Sequence, residues 1–190
     1  MARMPIGAAL ACGVLAGCVY TGSAKDFDPA ELERDPGWAA VRNVPPVRQA
    51  GERDCGAAAL AMVLGYWGVS SSEREILAGC SPTAQGIRAG ALRDFARAKG
   101  LKAYVFQGRL EDLAKELRRR RPVIVGLVKP YAALALTHYE VVVGIHPEKG
   151  RILTLDPAKG WRENSLAGFR AEWDRGGSVT LVCFKPAESD

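Results

Sequence analysis

Residues 49–64 read QAGERDCGAAALAMVL, a short polar loop that runs directly into an apolar segment with helical spacing. Asp54 is a suitable capping residue for a helix that begins at Cys55. The sulfur of Cys55 would then lie at the helix N-terminus, where backbone N–H groups and the positive end of the helix dipole favour a thiolate. Because the thiolate is the nucleophilic form of cysteine, this placement predicts a reactive side chain.

A base, and an acceptor to orient that base, are present further along the chain. His138 begins an apolar strand, and Asp156 ends the next predicted strand. The turn at residues 146–150 lies midway between them, so an antiparallel hairpin would bring both side chains to the same end of the sheet. Gln49, on the loop before the helix, would donate to an oxyanion together with the backbone N–H of Cys55. These four residues are our candidates for a catalytic site.

The rest of the chain predicts an α+β fold. Helices are expected before an antiparallel sheet, an order that differs from the alternating pattern of a parallel sheet. The expected helices lie near residues 55–68, 87–99 and 110–121, and the expected strands at 101–107, 123–128, 138–145, 151–156 and 178–184. Residues 44–190 would form one domain. The apolar segment Tyr131–Thr137 would be either a lid over the cleft or part of the core.

Three blocks of sequence carry a resemblance to a known family: Gln49 with Asp54-Cys55-Gly56-Ala57, His138-Tyr139, and Asp156-Pro157. Together they resemble the bacteriocin-processing, double-glycine-type cysteine peptidase domain over about residues 43–186. The resemblance implies a papain-like fold, with N-terminal helices packed on an antiparallel sheet. It also implies that Cys55 is the nucleophile and that His138 is the general base and acid. Asp156 would orient His138, and Gln49 would be the oxyanion donor.

The same resemblance has implications for substrate and cofactors. The expected substrate is an exported polypeptide that is cut after small residues, including Gly-Gly, since glycine lets the backbone approach closely in a narrow cleft. No metal ion or organic cofactor is expected, because a thiol, an imidazole and a carboxylate complete the chemistry. In this family the domain often precedes an ATP-driven exporter. The sequence holds no GxxxxGKS/T motif, so we expect no role for ATP.

One residue departs from the family pattern. Glu140 stands in a strand that is usually apolar, two positions from His138 and therefore on the same face. Its carboxylate would line the cleft and influence substrate choice or, as we favour, form a charge at the rim of the cleft.

The first residues have the pattern of an export signal. Arg3 is followed by an uncharged apolar segment, Ile6–Ala16, which has the length of a signal-peptide core and is too short to span a membrane. The sequence Leu15-Ala16-Gly17-Cys18 resembles a lipobox. This resemblance implies that residues 1–17 are removed and that Cys18 is lipidated.

Residues 18–43 would then be a polar tether between the lipid and the domain. The protein would be anchored in the bacterial cell envelope and face the periplasm. Val19 is not acidic, and by resemblance to bacterial lipoproteins this slightly favours the outer membrane.

Composition limits the remaining functions. The chain has 190 residues, a net charge of +5 and only 7% aromatic residues, so nothing points to nucleic acid as a partner. Its five cysteines are too few and too scattered for a disulfide scaffold. Cys80 and Cys183, which are neither anchor nor nucleophile in this interpretation, could form a disulfide or remain buried thiols.

We therefore predict a lipid-anchored cysteine endopeptidase whose partners are an exported peptide or protein and the membrane. An acyltransferase or transpeptidase, or a cell-wall peptide hydrolase, would use the same Cys-His-Asp site with another acceptor or substrate. A lipoprotein that binds a leader peptide without cleaving it is the third alternative, although a binding module has no need of a thiolate.

Overall fold

The computed structural model describes residues 23–131 and 134–186. Within these ranges, six helices accompany one antiparallel sheet of eight strands, which confirms the predicted α+β class. The predicted signal peptide and Cys18 lie outside the described residues. Among the helices of the described ranges, none combines the length and the hydropathy needed to cross a bilayer.

Along the chain, short N-terminal elements are followed by a mainly helical middle part and a strand-rich C-terminal half. The helices are α1 (Glu31–Arg34), α2 (Cys55–Tyr66), α3 (Glu73–Cys80), α4 (Ala89–Ala98), α5 (Leu110–Arg118) and α6 (Leu166–Arg175). The strands are β1 (Lys25–Asp26), β2 (Ala39–Ala40), β3 (Lys102–Gln107), β4 (Val123–Tyr131), β5 (Leu134–His146), β6 (Arg151–Asp156), β7 (Gly160–Ser165) and β8 (Val179–Phe184).

β5 is the central strand of the sheet. The strand order is β1-β7-β6-β5-β4-β8-β3, and β2 pairs with the C-terminal end of β5. The pairing of β4 with β5 continues outward as far as Tyr131 and Leu134. The segment Tyr131–Thr137 is therefore the outer part of the β4–β5 hairpin, and its residues 132–133 lie outside the described residues.

α2 is buried on almost every side. All ten residues from Cys55 to Leu64 are buried, and their apolar character all round the helix suits a central position better than a surface one. The helix packs against β5, α3 and α4. Near its C-terminal end Gly65 lies against Pro45, where a Cβ would be only 2.8 Å from the ring. This packing fixes the position of α2, and so of Cys55, relative to β5.

The structure differs from the expected tether over residues 23–43. β1 adds to the edge of the sheet beside β7, and β2 pairs with β5. Phe27, Leu32 and Val41 are buried in the main core. Phe27 and Leu32 each stand between two acidic residues, so the polar composition of the segment gives no sign that these two side chains are buried.

His146, the last residue of β5, fastens this N-terminal segment to the sheet. Its Nδ1 accepts a hydrogen bond from the Lys149 N–H at 3.3 Å, so its Nε2 can donate to Asp35 Oδ1, also at 3.3 Å. Trp38 packs edge-on against the imidazole, with ring centroids 5.4 Å apart. Gly37 faces the same ring, where a Cβ would come within 2.4 Å of Nε2. The side chain is 2% exposed and makes contacts on all of these sides.

Three longer elements were not predicted: α3, β7 and α6. α3 does carry a signal, a capping box in which Ser72 and Glu75 each accept a hydrogen bond from the other's backbone N–H. α6 is capped by the Ser165 side chain, and its buried Phe169 and Trp173 lie one turn apart. β7 has the polar sequence GWRENS, which gives no apolar alternation to recognise.

Phe27→Ala tests whether residues 23–43 belong to the folded domain. The ring is 8% exposed and packs edge-on against Trp38 at 5.7 Å. Its removal should lower the free energy of unfolding by about 3 kcal/mol, measured by urea denaturation followed by circular dichroism. The same substitution at Phe106, 37% exposed on β3, is the matched control and should cost less than about 1 kcal/mol. Equally small effects at both sites would contradict the packing of this segment.

Candidate active site

Cys55 is the first residue of α2, as the sequence predicts, and is 7% exposed. The expected cap by Asp54 is wrong, because its side chain makes no hydrogen bond to the first turn of the helix. The Asp54 carboxylate instead accepts a hydrogen bond from the Gly51 N–H at 2.8 Å, which closes the turn before the helix. The Asp54 side chain therefore does not cap the N–H groups in the first turn of α2, which carry the positive end of the helix dipole.

His138 and Asp156 meet at the end of β6. His138 lies three residues before Val141, which pairs with Leu155, so its ring reaches the point where β6 ends. Nε2 of His138 is 2.8 Å from Oδ1 of Asp156, and both side chains are buried. The backbone N–H of Ala158 donates to the same oxygen at 2.7 Å. The turn after β6 thus fixes the carboxylate of Asp156, and this carboxylate in turn orients the ring of His138.

The ring of His138 has one nitrogen for each neighbour. Nε2 faces Asp156, which leaves Nδ1 for the hydrogen bond with the Cys55 thiol. Burial lowers the pKa of His138, but the hydrogen bonds and charges of Asp156 and Cys55 outweigh it and raise the pKa to about 10. Burial likewise raises the pKa of Asp156, yet the hydrogen bond and charge of His138 bring it below its usual value. The arrangement favours an imidazolium that is hydrogen-bonded to the Asp156 carboxylate on one side and to the Cys55 sulfur on the other.

Gln49 lies beside the turn that follows β6. Its backbone N–H donates to the carbonyl of Pro157 at 3.1 Å, and the guanidinium of Arg48 bonds to the carbonyl of Ala158. The Gln49 side-chain Nε2 donates to the carbonyl of Gly51 at 2.7 Å. Its Oε1 is buried and has no hydrogen-bond partner within the described part of the chain. Gln49 is therefore adjacent to the Asp156 turn, with one of its two amide hydrogens already in use.

Tyr139 packs beside the nucleophile, a contact that the sequence analysis did not assign. Its ring contacts Gly56, the residue after Cys55, where a Cβ would be 3.1 Å from Cδ2. Burial, and then the negative charge of Cys55, raise the pKa of Tyr139 to about 12, although a backbone hydrogen bond from Ala89 lowers it. The hydroxyl of Tyr139 therefore stays neutral near pH 7. In the sequence, the feature that could have pointed to Tyr139 was its position next to His138 in the His-Tyr block.

Glu140 is 1% exposed, so the favoured position at the rim is wrong. Its Oε1 lies 2.9 Å from Nζ of Lys129, and its Oε2 accepts a hydrogen bond from Thr154 at 2.7 Å. A buried lysine on β4 thus explains how a strand that is otherwise apolar accommodates an acid. Within the described residues, His138, Glu140 and Asp156 could offer three metal-ligand atoms within 4.8 Å of one another. Each of the two acids already holds a protein partner, Lys129 or His138.

Cys80 and Cys183 are separate buried thiols, so of the two alternatives the disulfide is the wrong one. Cys80 is the last residue of α3, with its Sγ 3.6 Å from the carbonyl of Ala91. Burial, with a smaller contribution from Asp94, raises the pKa of Cys80 to about 11. Burial alone raises the pKa of Cys183, on β8, to about 12. Both therefore stay protonated near pH 7 and act as core residues.

The model of the peptidase C39 family matches residues 43–188, a range that holds all four candidate site residues. The chain belongs to the peptidase C39 family. It is therefore a cysteine peptidase, which confirms the family and the class of enzyme that the sequence predicts. No curated protein matches the chain significantly.

Solved structures of C39 peptidase domains have the same fold. The peptidase domain of Streptococcus ComA, a bifunctional ABC transporter, is 23% identical with a TM-score of 0.63 over 76% of this chain and 100% of that chain. A double-glycine-motif protease from a transporter, solved with its leader peptide, is 23% identical with a TM-score of 0.63 over 77% and 95%. A C39-like peptidase from Bacillus anthracis is 18% identical with a TM-score of 0.64 over 78% and 98%. These similarities confirm the papain-like arrangement of helices on an antiparallel sheet.

Iodoacetamide at pH 7 should alkylate Cys55 far faster than Cys80 or Cys183. Cys55 is hydrogen-bonded to the His138 ring, which can take its proton, whereas burial raises the pKa of the other two thiols and keeps them protonated. His138→Ala should slow the reaction of Cys55 at least about tenfold, measured by mass spectrometry of the labelled peptides. His146→Gln removes the other histidine and is the matched control. Similar rates for all three thiols would contradict the activation of Cys55.

Proposed function

We propose that this peptidase cleaves an exported polypeptide after small residues such as Gly-Gly, using Cys55, His138 and Asp156. The observation that carries the proposal is the pair of hydrogen bonds made by His138: its Nε2 lies 2.8 Å from Oδ1 of Asp156, and the side chain is also hydrogen-bonded to Cys55, for which Nδ1 is the nitrogen left. A histidine held between a carboxylate and a thiol is the arrangement that activates a cysteine nucleophile.

The reaction passes through an acyl-thioester. The Cys55 thiolate attacks the scissile carbonyl, and His138 gives the proton on Nδ1 to the leaving amine. The neutral ring of His138 then takes a proton from water, which attacks the thioester and releases the carboxylic acid. Asp156 keeps the ring in its orientation and stabilises the imidazolium at each stage.

Two N–H groups stabilise the oxyanion in this proposal. The backbone N–H of Cys55 belongs to the first turn of α2, where no carbonyl within the helix can accept it. The second donor is the amide hydrogen of Gln49 that does not bond to Gly51. A donor of this kind typically contributes a factor of about 100 to 1,000 in kcat.

The preference for small residues is supported on two sides. One solved relative of the same fold is a double-glycine-motif protease in complex with a leader peptide. In this chain, the ring of Tyr139 packs closely on Gly56 immediately beside the nucleophile. A narrow space next to Cys55 would select glycine, which lets the substrate backbone approach the sulfur closely.

The proposal places the enzyme on a lipid anchor at Cys18, facing the periplasm, with the outer membrane favoured. The lipobox Leu15-Ala16-Gly17-Cys18 and the short apolar segment before it support this location. The substrate would then be met after export, without ATP.

A synthetic peptide with an internal Gly-Gly should be cut by the full-length chain after the second glycine, and a Leu-Leu peptide should not. Cys55→Ala should abolish cleavage, because the proposed reaction requires the sulfur of Cys55 as its nucleophile. Products are identified by mass spectrometry in the presence of a free amine such as glycinamide. A hydrolysed product supports the proposed peptide hydrolysis, whereas a product joined to glycinamide would favour the acyltransferase alternative. Failure to cut either peptide, with Cys55 still rapidly alkylated, would contradict the proposed specificity.

Gln49→Ala should lower kcat on the Gly-Gly peptide by about 100-fold and leave KM within a small factor, because the lost hydrogen bond forms only as the oxyanion develops. Steady-state kinetics on purified protein measure both constants. Gln107→Ala is the matched control, since Gln107 is exposed on β3 and should change neither. An unchanged kcat for Gln49→Ala would remove this residue from the oxyanion site.

Cys18→Ser should abolish incorporation of labelled palmitate and release the protein from the membrane fraction. The lipid requires the thiol of this cysteine, and one serine hydroxyl does not replace it. Cys12→Ser, six residues earlier in the expected signal peptide, is the control and should behave like the parent. Membrane retention and labelling of Cys18→Ser would contradict the anchor and leave the peptidase proposal intact.

A further inference from the structure

Three charged side chains lie fully inside the protein next to the proposed catalytic pair. Lys129 on β4, Glu140 on β5 and Glu172 on α6 are 1%, 1% and 4% exposed. The ammonium of Lys129 lies 2.9 Å from Oε1 of Glu140 and 2.5 Å from Oε2 of Glu172. We call these three residues the lysine cluster. Two carboxylates around one ammonium give it a net negative charge.

The second oxygen of each carboxylate also has a partner. Oε2 of Glu140 accepts the hydroxyl of Thr154 at 2.7 Å. Oε1 of Glu172 accepts the backbone N–H of Ser23 at 2.9 Å, so the N-terminal segment closes the cluster from outside. Within the described residues, the remaining oxygens, one on each acid, have no directed hydrogen bond, and the ammonium of Lys129 compensates their charge. Buried charges of this kind are costly unless paired, so removing the ammonium would leave a strong uncompensated field.

The lysine cluster is continuous with the catalytic pair. Glu140 is two residues from His138 on the same face of β5, and one polar atom from each of Glu140, His138 and Asp156 lies within 4.8 Å of the other two. Oδ2 of Asp156 is buried and has no hydrogen bond in the described part of the chain. The charge of Lys129 helps to lower the pKa of Asp156, after the larger effects of burial, His138 and the Ala158 N–H.

We propose that Lys129 is a positioning residue for the proposed catalytic pair: its ammonium compensates Glu140 and Glu172, which limits the negative charge near His138, and it favours the anionic form of Asp156 that orients the ring. The proposal rests on the proposed function for the roles of His138 and Asp156. It explains why an acid at position 140 is compatible with catalysis, because the acid and the lysine act on the histidine with opposite signs.

The expected signs follow from the charges around His138. Among the described residues, the charged or titratable groups placed beside His138 are Cys55 from α2, Glu140 from β5 and Asp156 from β6. Lys129 from β4 contacts Glu140, and Glu172 from α6 contacts Lys129, so both act on His138 from behind Glu140. Loss of a nearby positive charge favours the imidazolium and raises the pKa of His138. Loss of a nearby negative charge lowers it.

The test is the pKa of His138, measured from the pH dependence of its imidazole NMR signals in the full-length chain with Cys55→Ala. The chain has only two histidines, so the signals of His138 and His146 are readily separated. Lys129→Gln should raise the pKa of His138 by about one unit, and Glu140→Gln should lower it by about as much. Combining both substitutions should bring it back toward the parent value. A residue that merely supports the fold would not produce shifts of opposite sign.

Three controls separate charge from general perturbation. Lys129→Arg keeps the positive charge and should leave the pKa of His138 nearly unchanged. Lys102→Gln removes an exposed charge on the edge strand β3 and should shift neither histidine. His146, at the other end of β5, reports any change that is not local to the cluster.

Absent shifts, or shifts of the same sign for Lys129→Gln and Glu140→Gln, would overturn the proposal. If Lys129→Gln does not fold, Glu140→Gln and Glu172→Gln each leave a one-to-one ion pair, and a lowered pKa of His138 in both is then the required result. Alkylation of Cys55 in the parent separates this outcome from a failure of the proposed function. Rapid alkylation of Cys55 that depends on His138, together with an unshifted pKa of His138 in the variants, would overturn the role of the lysine cluster and leave the proposed function intact.

Discussion

The hydrogen bond between Nε2 of His138 and Oδ1 of Asp156 is the interaction on which the rest of the site depends. It forms because β5 continues beyond Val141, its last position paired with β6, and His138 lies three residues beyond it, so its ring reaches the end of the neighbouring strand. Once Nε2 is committed to the carboxylate, Nδ1 must face the helix that begins at Cys55. The packing of α2 against β5 then determines whether the thiol lies within reach.

Local sequence predicted this site well because its parts are marked by short-range features. The start of α2 and the end of β6 follow from apolar periodicity and from the turn between the strands. The start of β5 does not, because the strand begins at Leu134 and not at the expected His138. The Gln49 loop follows from its position before the helix. The predicted cap at Asp54 was wrong because its carboxylate accepts a hydrogen bond from Gly51 in the preceding four-residue turn. The local sequence does not distinguish an aspartate that caps a helix from one that closes the turn before it.

Other features depend on contacts that local sequence does not contain. Glu140 is buried because Lys129, on the neighbouring strand, and Thr154 supply its partners. The burial of Phe27 and Leu32 requires a sheet whose later strands form a surface for them. β7 is strand because β6 and β1 pair with it on either side, although its own residues are polar. In each case the tertiary environment overrides the local composition.

The packing of residues 23–43 on the domain has a consequence for distance. Ser23, the first described residue, is already held by the fold, because its N–H is bonded to Glu172. With a lipid on Cys18, as proposed, only five Cα–Cα steps would separate the membrane from the enzyme. A fully extended chain covers roughly 17 Å over that length. The peptidase would then work within about half its own diameter of the bilayer surface, so substrates that emerge at the membrane would meet it before those free in the periplasm.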